Sequence, residues 1–145
     1  MKIIAAPALS TASEGQNTLN SLVLDNTQDP RSVPLVGVTR IDLNFPKFTD
    51  GRAYSQAFLL RRRLGFTGEI RATGDVLIDQ LVQMERTGFD VAVLREDQHL
   101  EFAQAQFDRF KGFYQGDAVT VKPAFARADY CALERDTTVQ PGAAA

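Results

Sequence analysis

The chain has no tryptophan, one cysteine, Cys131, and one histidine, His99, among 145 residues. A single thiol excludes an intrachain disulfide. It also excludes a self-contained iron–sulfur cluster or zinc-thiolate site, because those need several thiolates converging on the metal. No metal site and no cofactor of its own is therefore expected. His99 lies in the polar stretch "REDQHLEF", the setting of a solvated helix-face residue, so a Ser-His-Asp or Cys-His device is not supported. No apolar run approaches the ~20 residues that span a bilayer. The apolar start is broken by Pro7 before it reaches the roughly 7–15 residues of a secretory signal. The expectation is no membrane and a cytoplasmic location. The net charge is only −2, so no global field draws nucleic acid or an anionic membrane.

What is present is an ordinary globular composition, 44% hydrophobic and 23% charged, in a length that fits one domain. "LVGVTRIDLNF", residues 35–45, is a β-rich run closed by Pro46, which cannot donate to a ladder. Asp50 is placed to cap a helix in which Ala53, Ala57, Leu60 and Leu64 recur on one stripe, widened by Tyr54 and Phe58, with Gly65 to end it. "GEIRATG" reads as a second strand. Asp75 is placed to cap a second helix, with Leu77, Leu81 and Met84 inward and Gly88 at its end. "FDVAVL" is a continuous apolar run, as expected of a strand covered on both faces. Asp97 opens a third helical pattern through Ala103, Phe107, Phe110 and Tyr114, ending near Gly112 or Gly116.

Strand and helix thus alternate three times, which predicts a single compact α/β domain of three βα units on a small, mainly parallel open sheet. The chain is far shorter than the ~250 residues of a closed (β/α)₈ barrel. The expected boundaries are an N-terminal extension over residues 1–34 that covers the sheet, an α/β core over 35–126, and a C-terminal segment over 127–145 ending in a mobile tail. "NSLVLDN" is a candidate further strand within the extension, and "AVTVKPAF" another near the end of the core. An open sheet has edges that invite pairing, so the extension or a second copy of the chain, a homodimer, is expected to cover them.

In open α/β sheets, sites form at the carboxyl ends of the strands. The connections there are "PKFTDGR", "TGD" and "RED". They are expected to bring Lys47, Arg52 and Arg71 near two helix starts, which favour anions. Asp50 and Asp75 at the presumed caps offer the opposing reading, in which each Asp is a cap and each Arg its counter-ion. Arg61, Arg62 and Arg63 fall in the last turn of the first helix, where cations complement the dipole and stay solvated. The glycines of "LGFTGEIRATGD" do not match a dinucleotide fingerprint, because only Gly74 follows the strand. Phe48 lies in the loop between Pro46 and Asp50, where an exposed aromatic is a candidate anchor for a partner protein.

The segment "FPKFTDGRAYSQAFLLRRRLGFTGEIRATGDVLIDQL", followed by "RTGFD", resembles the domain of unknown function 934 family of small bacterial proteins associated with sulfite reductase. Its members carry the label of oxidoreductases involved in sulfite reduction, with no established reaction behind the label. The likeness runs over residues 41–115. It marks Phe45, Pro46, Phe48, Asp50, Gly51, Arg52, Ser55, Gln56, Arg61, Gly65, Arg71, Gly74, Asp75, Asp79, Gln80, Gly88, Phe89 and Asp90 as the family's characteristic positions. Thr87 departs from a cysteine that many members carry there. The resemblance implies a role in assimilatory sulfate or sulfite reduction. Siroheme and an iron–sulfur cluster demand cysteines this chain lacks. The expected function is therefore an accessory protein docking on sulfite reductase or an associated electron-transfer protein. The alternative is a small enzyme or sensor binding sulfite, sulfate or a phosphate ester. The expected site for either is Lys47, Phe48, Asp50, Gly51, Arg52, Ser55, Gln56, Arg71, Gly74, Asp75 and Gln80.

Overall fold

The segments "RIDLNF" and "EIRATG" alternate apolar and polar residues, and both form strands whose apolar face is buried, Arg40–Phe45 (β3) and Glu69–Gly74 (β4). The computed structural model describes residues 1–5, 20–109 and 112–126. Phe110, Cys131 and the tail expected over residues 127–145 lie outside them. Two four-residue strands, Lys2–Ala5 (β1) and Ser21–Leu24 (β2), precede β3, and Val91–Leu94 (β5) follows β4. The five strands form one parallel sheet in the order β1-β5-β4-β3-β2. From β2 to β5 the chain steps one strand over each time in the same direction. With crossovers of uniform hand, such winding places every connecting helix on one face.

Three helices lie between or after the strands: Arg52–Arg62 (α1), Leu81–Thr87 (α2) and Leu100–Asp108 (α3). Their inward residues Ala53, Ala57, Leu60, Leu81, Met84 and Ala103 share one core with Ile41, Leu43, Phe45, Ile70, Ala72, Ala92 and Leu94 of the sheet. The opposite face of β3 and β4 carries Arg40, Asp42, Asn44, Glu69, Arg71 and Thr73. All four residues of β5 are buried, as its continuous apolar run predicts. This is the expected α/β domain of three βα units on an open parallel sheet.

Several expectations change in detail. The strand predicted over residues 35–45 begins only at Arg40, because Gly37 (φ 78°) sits in a turn closed by the Val38 amide donating to the Leu35 carbonyl. Asp75 caps no helix. A 3₁₀ turn at Ile78–Gln80 comes first, and the α-helix starts at Leu81. That shift leaves Leu77 partly exposed and puts Val76 in the core. Leu43, Ala57, Leu60, Leu81, Val91 and Val93 are buried as expected, whereas Leu64 and Phe58 stand 37% and 44% exposed, off the inward stripe. Asp97 likewise lies outside α3, whose first flanking residue is His99, and Tyr114 is beyond the helix and exposed. "AVTVKPAF" contributes no strand; Ala124–Ala126 is a 3₁₀ turn.

The largest correction concerns the arginine triplet. Arg62 and Arg63 are exposed, but the Arg61 side chain is only 16% exposed. Its Nε donates to the Gly88 carbonyl, its Nη1 to the carbonyls of Phe66 and Gly68, each at 2.8 Å, and its Nη2 to the Asp90 carboxylate. The same Asp90 oxygen accepts the Ile70 amide at 2.8 Å. One guanidinium therefore ties the end of α1 to the end of α2 and to the amino ends of β4 and β5. Gly88 makes room for it: at φ 104°, a Cβ there would come within 2.5 Å of Arg61 Cγ.

Two stability predictions follow from this packing. Leu60→Ala is expected to cost roughly 2–5 kcal/mol by denaturant unfolding, the range for a fully buried leucine. Arg61→Met, which keeps the stem and removes the donors, is expected to cost ~2 kcal/mol or more, since each buried carbonyl left without a donor costs about 1–3 kcal/mol. A surface-like loss of about 0.5 kcal/mol or less for either variant would refute its assigned role.

Candidate functional site

The carboxyl ends of β2, β3, β4 and β5 open into four loops, residues 25–29, 46–51, 75–80 and 95–99, that form one cross-braced rim. Asp50 holds two of them. Its Oδ1 accepts the Arg52 amide (3.2 Å) and Arg52 Nε (3.0 Å), while Oδ2 accepts Arg52 Nη2 (2.7 Å) and Asn26 Nδ2 (2.6 Å). Gly51 is the residue flanking α1, so Asp50 serves the first helical amide from one position further out than expected. Arg52 is the main cause that pulls the Asp50 carboxyl down to about 2. Gln56, buried one turn into α1, donates its amide to the carbonyls of Asp25 and Gln28, both at 2.8 Å.

Asp75 ties its own loop to residues 46–51 and 95–99. Its amide donates to the Phe45 carbonyl at 2.8 Å, which brings its side chain beside residues 46–51. There Oδ2 accepts the Phe48 amide (2.9 Å), and Oδ1 accepts Arg95 Nη1 (2.6 Å). Gly74 makes this approach possible: at φ 91°, any Cβ would lie 2.3 Å from the Phe45 carbonyl oxygen and 2.6 Å from Asn44 Oδ1. Arg95 also forks onto Asp97 through Nε at 2.6 Å and Nη2 at 2.7 Å, which lowers the Asp97 carboxyl to about 2. Gln80 donates to the Phe48 carbonyl at 2.8 Å, and its Oε1 accepts the Leu77 amide at 3.3 Å. Both main-chain polar groups of Phe48 are thereby held by side chains from the neighbouring loop, and the residue stands 49% exposed.

Lys47, Phe48, Asp50, Gly51, Arg52, Gly74, Asp75 and Gln80 gather at this rim, with Gln56 bracing it from beneath. Arg71 and Ser55 do not join them. Arg71 lies within β4 on the sheet face away from the helices, where Nη2 meets Glu69 Oε1 at 2.7 Å and Nε stands 4.0 Å from Asp42. Burial raises the Asp42 carboxyl pKa despite Arg40 and Arg71 beside it. Ser55 faces outward on α1, lining an open groove of about 310 Å³ with Tyr54, Phe58 and Thr87. Burial pushes the Tyr54 phenol up to about 12, with a smaller contribution from Asp79.

Asn26, Arg95, Asp97 and Gln98 complete the rim and are not among the expected site residues. Gln98 Oε1 accepts the Ile78 amide at 3.2 Å. For Arg95 and Asp97 the available signal was their place just after a buried parallel strand. Asn26 had only its position after "SLVL". Among the described residues no three His, Cys, Asp or Glu side chains are grouped to hold a metal ion. No helix there is long and apolar enough to cross a membrane.

These features define a class: an open parallel α/β sheet, helices on one face, with its strand-end loops braced by ion pairs around an exposed aromatic. Residues 21–125 match the model of the family described as bacterial protein of unknown function (DUF934), and the chain belongs to that family. Comparison with curated proteins and with solved structures gives no match.

The rim's acid response follows from Asp50. Its folded value, about 2, lies below its ordinary 3.8, so its contribution is present above pH ~4 and is lost as pH falls through about 2. Asp50→Asn is expected to lower the urea midpoint at pH 6, and the gap to the parent should narrow by pH 2. An equal gap at both pH values would show that the Asp50 charge does not brace the rim.

Proposed function

We propose that this chain is a cytoplasmic accessory protein of assimilatory sulfate and sulfite reduction. It docks through the strand-end rim on sulfite reductase or on the electron-transfer protein that supplies it. The pathway comes from the family resemblance, and the docking mode from one observation: Phe48 is fixed by Asp75 and Gln80 on both main-chain groups and yet stands half exposed. Ordering cost is a main loss on association, and a loop already held in place avoids part of it. A rigid exposed aromatic is also the residue type that dominates protein interfaces. The oxidoreductase label then describes chemistry held by the partner.

Comparison of the characteristic positions supports the same choice. Asp50, Arg52, Gln56, Arg61, Gly74, Asp75, Gln80, Gly88 and Asp90 each hold an internal contact. The Phe48 side chain joins none of the aromatic pairs among the described residues and stands half exposed. The oxyanion reading meets cations already spent: Arg52 on Asp50, Arg71 on Glu69, Arg95 on Asp75 and Asp97. Lys47 alone among the rim's cations makes no ion pair within the described residues, and one lysine beside several carboxylates is a poor anion trap.

Loss of the gene is expected to stop growth on sulfate or sulfite, with rescue by cysteine. Phe48→Ala should reproduce that phenotype with its melting temperature unchanged. It should weaken binding to purified sulfite reductase or its electron donor about 30-fold, the roughly 2 kcal/mol of an aromatic hot spot. Normal growth of a Phe48→Ala strain would remove the rim from the function. Normal growth without the gene would remove the pathway.

A further inference from the structure

The rim carries more negative charge than the chain as a whole. Residues 25–31, 46–52, 75–80 and 95–99 contain seven carboxylates and four cations, hence three net negative charges, against −2 for the full chain. Arg31, Arg52 and Arg95 pair with Asp29, Asp50, Asp75 and Asp97, and the charge of Lys47 balances the one carboxylate in excess. The surplus falls on Asp25, Asp79 and Glu96, all exposed and without an ion pair among the described residues. Phe48 stands in the middle of this field, bonded to Asp75 and Gln80 on one side and two residues from Asp50 on the other.

From this placement we infer that the rim is shaped for a second protein that presents an apolar pocket for one aromatic ring, bordered by lysine and arginine side chains. The inference rests on the docking reading above and adds the partner's chemistry. The ring supplies the anchor by burying its area in the pocket. The surplus carboxylates orient the encounter and speed it, because opposite surface potentials steer diffusion over distances near the Debye length. The same field repels nucleic acid and anionic lipid, so neither class of partner fits this face.

The test places the photo-crosslinking residue p-benzoylphenylalanine at position 48, in cells growing on sulfate, and sequences the adduct. The expected result is one dominant protein, joined at an apolar pocket with lysine or arginine on its border. Asp79→Lys together with Glu96→Lys should lower the adduct yield about tenfold, with the variant still folded by its melting curve. No adduct, adducts spread over many proteins, attachment on an acidic surface, or a yield indifferent to the charge reversal would each overturn the inference. The adduct's identity separates the two readings. A basic-bordered pocket on a protein outside sulfur assimilation upholds this inference and overturns the pathway. An acidic surface on sulfite reductase does the reverse.

Discussion

A single guanidinium organises the amino-end half of this fold. Arg61 reaches from the end of α1 to three carbonyls and one carboxylate that belong to the end of α2 and the starts of β4 and β5. Parallel strands come from distant parts of the chain, so something other than a tight turn must set how far each helix returns before the next strand begins. Here Asp90 accepts both Arg61 and the Ile70 amide, which fixes β5 against β4 just before the first paired residues, Arg71 and Val91. The geometry has little tolerance. Arg61 needs a residue without a Cβ at position 88, and Gly88 needs a left-handed backbone to end α2.

The carboxyl end depends on that alignment. Once β3 and β4 are in register from Arg40 with Glu69 to Phe45 with Gly74, the two strands finish side by side. Gly74 then lets the chain cross close over the Phe45 carbonyl, and Asp75 arrives beside the following loop. Phe48 is consequently presented by a strand register and one glycine. Asp50 does the same for the first loop, spending one carboxylate on the helix start, on Arg52 and on Asn26. Side chains that look like candidate ligands on paper are the braces of the loops that hold the exposed group.

What the sequence revealed depended on how local each cause was. Periodicity found β3, β4, β5 and α1, because alternating "RIDLNF" and the spacing of Ala53, Ala57 and Leu60 are written within a few residues. It missed β1: the four residues "KIIA" become a strand by pairing with Val91–Leu94, about ninety residues away. It placed the start of α2 too early because Asp75 has the chemistry of a cap, and only tertiary structure shows that carboxylate engaged by Phe48 and Arg95. It also grouped Arg61 with its two solvated neighbours. Helical spacing held a clue there, since position 61 follows Ala57 by four and lies at the border of the buried stripe. The carbonyls awaiting it could not be seen locally.

The rim's ion pairs also bear on the proposal of a docking face over an oxyanion pocket. An oxyanion needs donors left over after the protein has satisfied itself. Arg52 and Arg95 instead meet carboxylates at bidentate or forked geometry, the arrangement in which a guanidinium has least to offer a further anion. To admit sulfite or sulfate there, the rim would have to release Asp50 or Asp75 and so release the loops that those residues hold. A protein partner asks for no such exchange. It meets the surface as built, with one half-exposed phenylalanine whose main-chain groups are already bonded, and a surplus of carboxylates around it. The braced rim therefore favours addition over replacement, which is what distinguishes a docking face from an anion pocket on the same strand ends.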